Sequence, residues 1–325
     1  MSRAPSPERP MRATRYRRHR QLVEAASVVL GAVLLIWSLL PIYNMLLIAL
    51  DREGDTEFAG TLWPSEASLE SFRVVLTQSF WYVEEFWRQF GNSLYVGLAT
   101  MFLTMLIASL ASFAAGRMQV RRARLLVSAP LLSYVLPSSF LAIPFLLIIR
   151  RYGLSDSLWG VVAAEVMFAT PFAVLVLQSQ AKLVPIELDE AARVDGASPL
   201  QVYALIYLPL MAPALAAVGT FALLLSWSDH LYQYLIISSK RNWTVAVALE
   251  QFWDADEAPW NYMMALAIVY ALPPLAIYFV LIRSLAAGLR PSGNESAGGG
   301  RVYPPSMRNW FARRFWNTNQ FSSKI

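Results

Sequence analysis

Residues 93–115 read SLYVGLATMFLTMLIASLASFAA, a continuous apolar stretch without a charged side chain. A helix rises about 1.5 Å per residue and the hydrocarbon core of a bilayer is about 30 Å thick, so about 20 such residues cross it. The stretch therefore predicts a membrane-spanning helix.

Five further stretches are apolar and long enough to cross a bilayer, namely 25–50, 125–149, 157–181, 212–237 and 262–282. Their charged and titratable residues are few: Glu165 lies in the fourth span, and Asp229 and His230 lie in the fifth. Prolines inside the spans, three of them in 125–149 alone, are compatible with a helical bundle, because neighbouring helices satisfy the freed carbonyl groups. The sequence predicts an all-α integral membrane protein with six transmembrane helices.

The composition agrees with this architecture and excludes several classes of protein. Hydrophobic residues make up 56% of the 325 residues and charged residues 15%, whereas a soluble domain is about 25% charged. Cys is absent, which excludes disulfides, thiolate metal sites and cysteine nucleophiles. With two His residues in the chain, no metal site is predicted.

Basic residues are unevenly distributed between the segments that join the spans. With the N-terminus in the cytoplasm, 20 of the 27 Lys and Arg residues lie in inner segments and 7 in outer ones. The positive-inside rule therefore predicts that both termini are cytoplasmic. Because this asymmetry accounts for the net charge of +5, no nucleic-acid partner is predicted.

The inner segment between the fourth and fifth spans is predicted to be structured. Residues 182–210 read KLVPIELDEAARVDGASPLQVYALIYLPL. Pro185 fits the first position of a short helix with acidic first turns, and Gly196 fits a left-handed stop. Ser198-Pro199-Leu200-Gln201 is a capping box that begins a second helix, which we expect to break at Leu208–Pro209. Such a hairpin either simply joins two spans or contacts another protein.

This segment resembles the EAA signature of ATP-binding-cassette (ABC) importer permeases. The residues that carry the resemblance are Glu190, Ala191, Ala192, Asp195, Gly196, Ile206, Leu208 and Pro209. In that family the loop supplies a coupling helix that docks on a cytoplasmic ATPase. The resemblance therefore implies the type I importer permease fold and an ATPase-coupling role for these residues.

Further motifs resemble carbohydrate-uptake permeases of the MalG kind over about residues 25–290, including Asn92-Ser93-Leu94, Gly153-Leu154-x-Asp156 and Thr170-Pro171-Phe172. The resemblance implies the permease subunit of a binding-protein-dependent importer that moves a sugar or sugar derivative across a bacterial inner (plasma) membrane. It also implies a second permease subunit, two copies of a cytoplasmic ABC ATPase and an extracytoplasmic solute-binding protein. Ala246 stands where that kind of permease usually has proline, and Glu165 where it is normally uncharged.

The chain contains no nucleotide-binding P-loop. Its three lysines follow Ala181, Ser239 and Ser323, whereas a P-loop needs glycine before lysine. We therefore expect no cofactor and no enzymatic activity in this chain, with ATP and Mg bound by the partner ATPase. An ion-driven secondary transporter of a small polar solute is the alternative, since it would also be a bundle with an intramembrane acid. That alternative does not require the capped hairpin.

Five residues are candidates for the substrate path: Glu165, Trp227, Asp229, His230 and Tyr232. Glu165 lies about 12 Å into the fourth span, where burying a charge is costly, so it either binds substrate or forms a hydrogen bond to a neighbouring helix. The other candidates lie near the outer end of the fifth span. Aromatic rings beside a carboxylate suit the apolar face of a sugar, and they also suit an interfacial aromatic belt.

Three regions follow from the spans: a basic cytoplasmic tail (1–24), the transmembrane permease domain (25–290), and a cytoplasmic linker with a basic, aromatic tail (291–325). The composition of the last region favours an anchor on membrane lipid, with docking on the ATPase as the alternative. The first apolar stretch is longer than the core of a signal peptide, so we expect it to be retained. The outer loop 238–261 is aromatic, and the resemblance implies contact with the binding protein, with a loop lying along the membrane interface as the alternative.

Overall fold

The computed structural model of the chain describes residues 10–51, 62–64, 66–117, 136–252 and 259–288. The chain divides into two units, Met1–Leu285 and Ala286–Ile325. Among the described residues every regular element is a helix, apart from an isolated β-bridge between Asp51 and Ala67. The predicted all-α class is confirmed. The predicted tail 291–325 lies outside the described residues.

The helices, in chain order, are α1 (Pro10–Leu50), α2 (Glu70–Thr77), α3 (Phe86–Arg117), α4 (Ser138–Arg151), α5 (Leu158–Ala181), α6 (Glu187–Val194), α7 (Pro199–Val202), α8 (Leu208–Leu210), α9 (Ala212–Ser228), α10 (Leu231–Ile236), α11 (Val245–Ala248) and α12 (Trp260–Gly288). A π-helical turn, Tyr203–Tyr207, joins α7 to α8, and 3-10 turns, Lys240–Asn242 and Leu249–Phe252, flank α11.

In the described part of the chain, four helices are long and apolar enough to cross a membrane, namely α1, α3, α5 and α12. They cover the predicted spans 25–50, 93–115, 157–181 and 262–282. The segment from α7 to α8 forms a fifth apolar element with α9, although the two parts are bent by 78°. The predicted third span, 125–149, lies partly in residues 118–135, outside the described ranges, and its described part is α4.

The predicted fifth span, 212–237, is wrong as a single helix. α9 ends at Ser228, the backbone of Asp229 is extended, and α10 begins at Leu231. The carboxylate of Asp229 accepts a hydrogen bond from the backbone N–H of Gln233 (3.3 Å), which begins α10 as a separate helix. A hydropathy window averages over this break, because the residues on both sides of it are apolar.

α3 is the central helix of the bundle, and it packs most extensively against α5 and α9. Most of its buried residues between Ser93 and Ser112 have small or hydroxyl side chains: Ser93, Gly97, Thr100, Thr104, Ala108, Ser109 and Ser112. At Gly97 an added Cβ atom would lie only 3.0 Å from Leu223 Cδ1 of α9. Association of helices in a bilayer depends on such close packing, because lipid is as apolar as the side chains.

α1 lies largely outside this packing. None of the residues in its apolar window is buried, and between residues 19 and 50 the buried side chains lie in the last turns, at Leu47 and Ala49. There the carbonyl of Leu50 accepts a hydrogen bond from the backbone N–H of Ser68 (2.8 Å). α1 is therefore attached to the remainder of the chain through its C-terminal end.

Two glycines at helix contacts provide a matched test of this packing. An added Cβ atom at Gly160 of α5 would lie 2.4 Å from the carbonyl oxygen of Leu154, a backbone atom. At Gly219 of α9 the nearest atom, at 2.6 Å, is Met105 Sδ, the end of a flexible side chain. We predict that Gly160→Ala lowers the free energy of unfolding by about 1–3 kcal/mol and that Gly219→Ala costs less, because Met105 can rotate.

Melting temperatures in detergent provide the measurement. Gly91→Ala in α3 is the control, because nothing lies within 4 Å of its added Cβ atom and alanine is the better helix former. Equal melting temperatures for Gly160→Ala and Gly219→Ala would contradict the expected difference between a backbone contact and a side-chain contact.

Candidate functional site: a capped helix pair and a buried polar network

The segment between α5 and α9 folds as two short helices joined by a tight turn. α6 ends in a Schellman motif, in which Gly196 N–H donates to Arg193 O (3.0 Å) and Ala197 N–H donates to Ala192 O (2.9 Å). Gly196 has φ +85°, so its backbone is left-handed, as the sequence predicts. This motif satisfies the last carbonyl groups of α6 and fixes the direction in which the chain leaves it.

α7 begins with the predicted capping box. Gln201 N–H donates to Ser198 Oγ (3.3 Å), and Ser198 N–H donates to Gln201 Oε1 (2.8 Å). Pro199 occupies the first helical position, where its missing N–H costs nothing. Both ends of the turn between α6 and α7 are therefore closed by hydrogen bonds that are local in sequence.

Two predicted boundaries in this segment are wrong by a few residues. α6 begins at Glu187 and not at Pro185, a difference within the usual spread of helix ends. The second helix does not break at Leu208–Pro209, because the π-turn Tyr203–Tyr207 continues into α8, which extends past the proline to Leu210. The 78° bend comes at Met211, just before α9 begins at Ala212.

The residues of the EAA signature lie on the surface of this helix pair. Glu190, Ala191, Asp195, Gly196 and Pro209 are exposed, and Ala192, Ile206 and Leu208 are half-buried. Exposed apolar side chains surround them: Leu183 (75% exposed), Val194 (87%) and Leu200 (70%). We call this region the coupling surface, after the role that the resemblance to ABC permeases predicts for it. Exposed apolar groups beside small residues are typical of a protein-binding surface.

The coupling surface is attached to the C-terminal part of α3 through two tyrosines of the π-turn. The hydroxyls of Tyr203 and Ser109 lie 2.7 Å apart, and Tyr207 donates to Ser112 Oγ (3.0 Å). The ring of Phe113 makes edge contacts with both tyrosine rings, at centroid distances of 5.3 and 5.2 Å. The helix pair therefore packs against the central helix of the bundle.

Glu165 lies inside the bundle and is 1% exposed. Thr100 of α3 donates to Glu165 Oε2 (2.8 Å), and Gln233 of α10 donates from Nε2 to Glu165 Oε1 (3.1 Å). Gln233 also donates to Ser226 O (2.9 Å), and its own side-chain oxygen accepts a hydrogen bond from Thr244. These contacts join α3, α5, α9 and α10 through one buried polar network, in which both carboxylate oxygens of Glu165 are occupied.

Trp227 and Tyr232 are core residues in this structure. The indole N–H of Trp227 donates to Tyr270 O (3.1 Å), and the hydroxyl of Tyr270 donates to Trp227 O (3.0 Å). Their rings stack at a centroid distance of 4.8 Å. Tyr232 is 4% exposed and donates to Ser138 O at the start of α4 (2.7 Å). Within this chain, both aromatic residues join helices and neither is open to a ligand.

Asp229 and His230 lie at the break between α9 and α10. Asp229 is half-buried, and its carboxylate caps α10. His230 is exposed; its Nε2 lies 3.5 Å from Glu250 Oε2, and its ring stacks on Tyr234 at 5.6 Å. Of the five candidates for the substrate path, these two are the ones that are not buried.

The first part of the predicted outer loop, Ser238–Trp243, is fixed by residues from two distant motifs. The Oδ1 atom of Asp156 accepts hydrogen bonds from the backbone N–H groups of Ser238 and Ser239 (both 2.9 Å) and from the Ser239 hydroxyl (3.0 Å). Asn92 donates from Nδ2 to Arg241 O (3.0 Å) and Trp243 O (2.8 Å). Burial alone would raise the pKa of Asp156, but the hydrogen bonds outweigh it and hold the pKa below its usual value.

These contacts give a physical role to two motifs of the sequence analysis, Asn92-Ser93-Leu94 and Gly153-Leu154-x-Asp156, which resemblance alone had indicated. Asn92 and Ser93 begin one motif; Ser93 Oγ accepts a hydrogen bond from the backbone N–H of Val245 (3.0 Å), just beyond the outer loop. Asp156, which has φ +51°, ends the other. Both motifs therefore hold the same loop and the residues just after it, and no periodicity in the sequence indicates this. Among the described residues, no group of His, Asp and Glu could hold a metal ion.

The profile of a protein family described as "Binding-protein-dependent transport system inner membrane component" matches residues 105–291. The chain belongs to this family: it is a multi-pass inner-membrane permease and not an enzyme.

Three relatives illustrate the range of the family. The trehalose transport system permease protein SugB of Mycobacterium tuberculosis is 28% identical, over 80% of this chain and 94% of its own length. The diacetylchitobiose uptake system permease protein DasC of Streptomyces coelicolor is 27% identical, over 80% and 93%. The inner membrane ABC transporter permease protein YcjP of Escherichia coli is 27% identical, over 81% and 93%.

The fold is also similar to a chain in a crystal structure of a bacterial ABC transporter involved in the import of the acidic polysaccharide alginate. The TM-score is 0.70 at 18% identity, and the match covers 82% of this chain and 97% of that chain. At this level of identity the similarity concerns the fold.

The two interpretations of Glu165 make different predictions. Glu165→Leu leaves the Thr100 hydroxyl and one Gln233 N–H without this partner, so we expect a loss of about 1–2 kcal/mol in stability. Glu165→Gln keeps hydrogen-bonding atoms at the same place and should melt close to the wild type. The measurement is the melting temperature in detergent, with sugar uptake by the assembled transporter as the second readout.

A structural role predicts normal uptake by Glu165→Gln, and a substrate role predicts reduced substrate affinity in that variant at unchanged melting temperature. If Glu165→Leu has the same melting temperature as the wild type, the buried polar network does not hold the helices together.

Proposed function

We propose that this chain is one permease subunit of an ATP-driven importer that moves a sugar or a sugar derivative across the inner membrane. The family supports a transport role that depends on a binding protein. Relatives of similar length are named for the transport of trehalose and diacetylchitobiose, which supports a carbohydrate substrate. In this proposal the chain has six spans and the type I importer fold, with both termini in the cytoplasm. A binding-protein-dependent family also argues against the ion-driven alternative.

The observation that carries this proposal is the exposed coupling surface. α6 and α7 are capped at their joined ends, and five of the eight EAA residues are exposed, as are Leu183, Val194 and Leu200. On the cytoplasmic side these apolar groups face water and are not covered by lipid, so a protein partner is needed to bury them. In our proposal that partner is a cytoplasmic ABC ATPase, and α6 is the coupling helix.

The remaining partners follow from the same proposal. A second permease subunit completes the membrane pathway, two copies of the ATPase bind ATP and Mg, and a solute-binding protein delivers substrate at the outer face. We assign the rigid loop Ser238–Trp243 to contact with that protein, because Asp156 and Asn92 hold it in one conformation and leave Lys240 and Arg241 exposed.

For the substrate path, we propose that Asp229 and His230 contribute polar groups, together with Glu250. Of the five candidates, Asp229 and His230 are the ones that are not buried in this structure. Glu165, Trp227 and Tyr232 then act indirectly, by positioning α9 and α10 around the break that exposes Asp229 and His230.

Gly196 and Gly153 provide a matched test of ATPase coupling. Both have a left-handed backbone, φ +85° and φ +70°, and both have open space around an added Cβ atom. An alanine therefore costs a similar amount at either position, about 1–2 kcal/mol. We predict that Gly196→Ala reduces sugar uptake per ATP hydrolysed, because it changes the end of α6, whereas Gly153→Ala at the other end of the bundle does not.

Proteoliposomes that contain the co-purified complex allow uptake and hydrolysis to be measured together. Glu190→Lys should act like Gly196→Ala while it leaves the backbone unchanged, since Glu190 is exposed on α6. Normal uptake per ATP in both Gly196→Ala and Glu190→Lys would exclude this surface as the ATPase contact.

The outer loop provides a separate prediction. Asp156→Ala removes the acceptor of three hydrogen bonds from Ser238 and Ser239, so the loop should lose its fixed conformation. We expect the half-saturating concentration of binding protein for stimulated ATP hydrolysis to rise. Asp156→Asn keeps an acceptor oxygen and should stay closer to the wild type. If both variants respond to the binding protein like the wild type, the loop does not form its docking site.

A further inference from the structure

Arg117, the last residue of α3, is a buried cation at the end of the bundle where the coupling surface lies. Its Nη2 atom donates to Val184 O (2.7 Å) and to Ala181 O (3.2 Å), which belong to the end of α5 and the chain after it. Its Nε atom lies 3.4 Å from Asp189 Oδ2 of α6. The carbonyl of Arg117 accepts a hydrogen bond from Arg193 Nη2 of α6 (3.3 Å).

This placement is not required by membrane topology. A basic residue that only orients the chain can remain in water, whereas the side chains of Arg117 and Asp189 are 5% and 3% exposed. Burying two charges is costly, and removing one partner leaves the other without compensation. Burial raises the pKa of Asp189, and the charges of Arg117 and Arg193 oppose that rise. Neither carboxylate oxygen of Asp189 forms a hydrogen bond in the described part of the chain, so the ion pair is its main compensation.

The contacts of Arg117 join the end of α3 directly to α6 and to the chain that follows α5. α6 is connected covalently to α5 through residues 182–186 and to α9 through the bent segment that contains α7 and α8. Arg117 adds a direct connection from α6 to α3, the helix that packs along both α5 and α9. A displacement of α6 can therefore reach the central helix without passing through the bend at Met211.

We propose that Arg117 is a positioning residue that makes α6 and the C-terminal end of α3 move as one rigid unit, so that a force applied at the coupling surface moves α3 directly. The inference rests on the proposed function for the source of that force. The rigid connection itself is a property of this chain alone.

The absence of Cys makes the rigid unit directly measurable. Gly116→Cys at the end of α3 and Glu187→Cys at the start of α6 place two spin labels on exposed positions outside the coupling surface, and the chain has no other Cys that could react. We expect one narrow distance distribution by EPR in detergent. In the assembled complex this distribution should be the same without nucleotide and after trapping with ATP and vanadate. Arg117→Met should broaden the distribution in both settings.

Transport by the assembled complex provides the second readout, with labelled trehalose and diacetylchitobiose as the probes. We expect Arg117→Met to lower uptake per ATP hydrolysed about tenfold. Lys182→Met is the matched control, because Lys182 is an exposed cation on the same connection after α5. It should leave both the EPR distribution and the uptake unchanged.

A double variant distinguishes a positioning role of Arg117 from an effect that acts only through the stability of the protein. Replacing both members of a buried ion pair with apolar residues often restores stability, so Arg117→Met with Asp189→Leu should recover the melting temperature that Arg117→Met loses. The proposal predicts that the EPR distribution stays broad and the uptake stays low in this double variant. Recovery of both readouts together with the melting temperature would overturn the proposal, because the ion pair would then act only through stability.

The EPR measurement also tests the rigid unit independently of the proposed ATPase contact. An unchanged distribution in Arg117→Met overturns the rigid unit, whatever the transport result. If Gly196→Ala and Glu190→Lys leave coupling intact while Arg117→Met broadens the distribution, the ATPase contact is wrong and the rigid unit stands.

Discussion

The close approach of α3 to α5 and α9 is the contact on which the other features depend. It requires the small and hydroxyl side chains that α3 presents, such as Gly97, Thr100 and Ser109, because larger ones would separate the helices. The same helix carries Asn92 and Ser93 at one end, Thr100 in the middle and Arg117 at the other end. The outer loop, the buried polar network and the coupling surface are therefore all positioned by one helix.

Local rules predicted much of this structure, and contacts between distant residues account for what they missed. The stop at Gly196 and the cap at Ser198 depend on neighbours in sequence, so the sequence alone could reveal them. The break at Asp229 could not be seen in hydropathy, since apolar residues continue on both sides. Arg117 was counted only as one of the basic residues that orient the chain. Its role depends on Asp189, Ala181 and Val184, which lie more than sixty residues away in sequence.

The candidates for the substrate path illustrate a general property of polar residues in a bilayer. Glu165 was singled out because charges are rare there, and Trp227 and Tyr232 because aromatic rings suit sugars. In this structure, each of the three instead satisfies a polar group on a neighbouring helix. An unpaired polar atom in hydrocarbon is costly, so intramembrane polar residues find partners within the protein wherever they can. A polar residue that is rare in a membrane-spanning segment is therefore important, but its rarity does not distinguish a ligand site from a contact between helices.

The 78° bend at Met211 has a mechanical consequence. The segment from α7 to α8 and the helix α9 lie at nearly a right angle. A translation along the axis of the first therefore has only a small component along the axis of the second. A push along the axis of α7 and α8 would therefore tilt α9 sideways and would hardly slide it through the bilayer. Tilting widens one end of a helical bundle while the other end narrows. A membrane subunit with this corner can thus exchange the side to which it is open without moving any span across the hydrocarbon core.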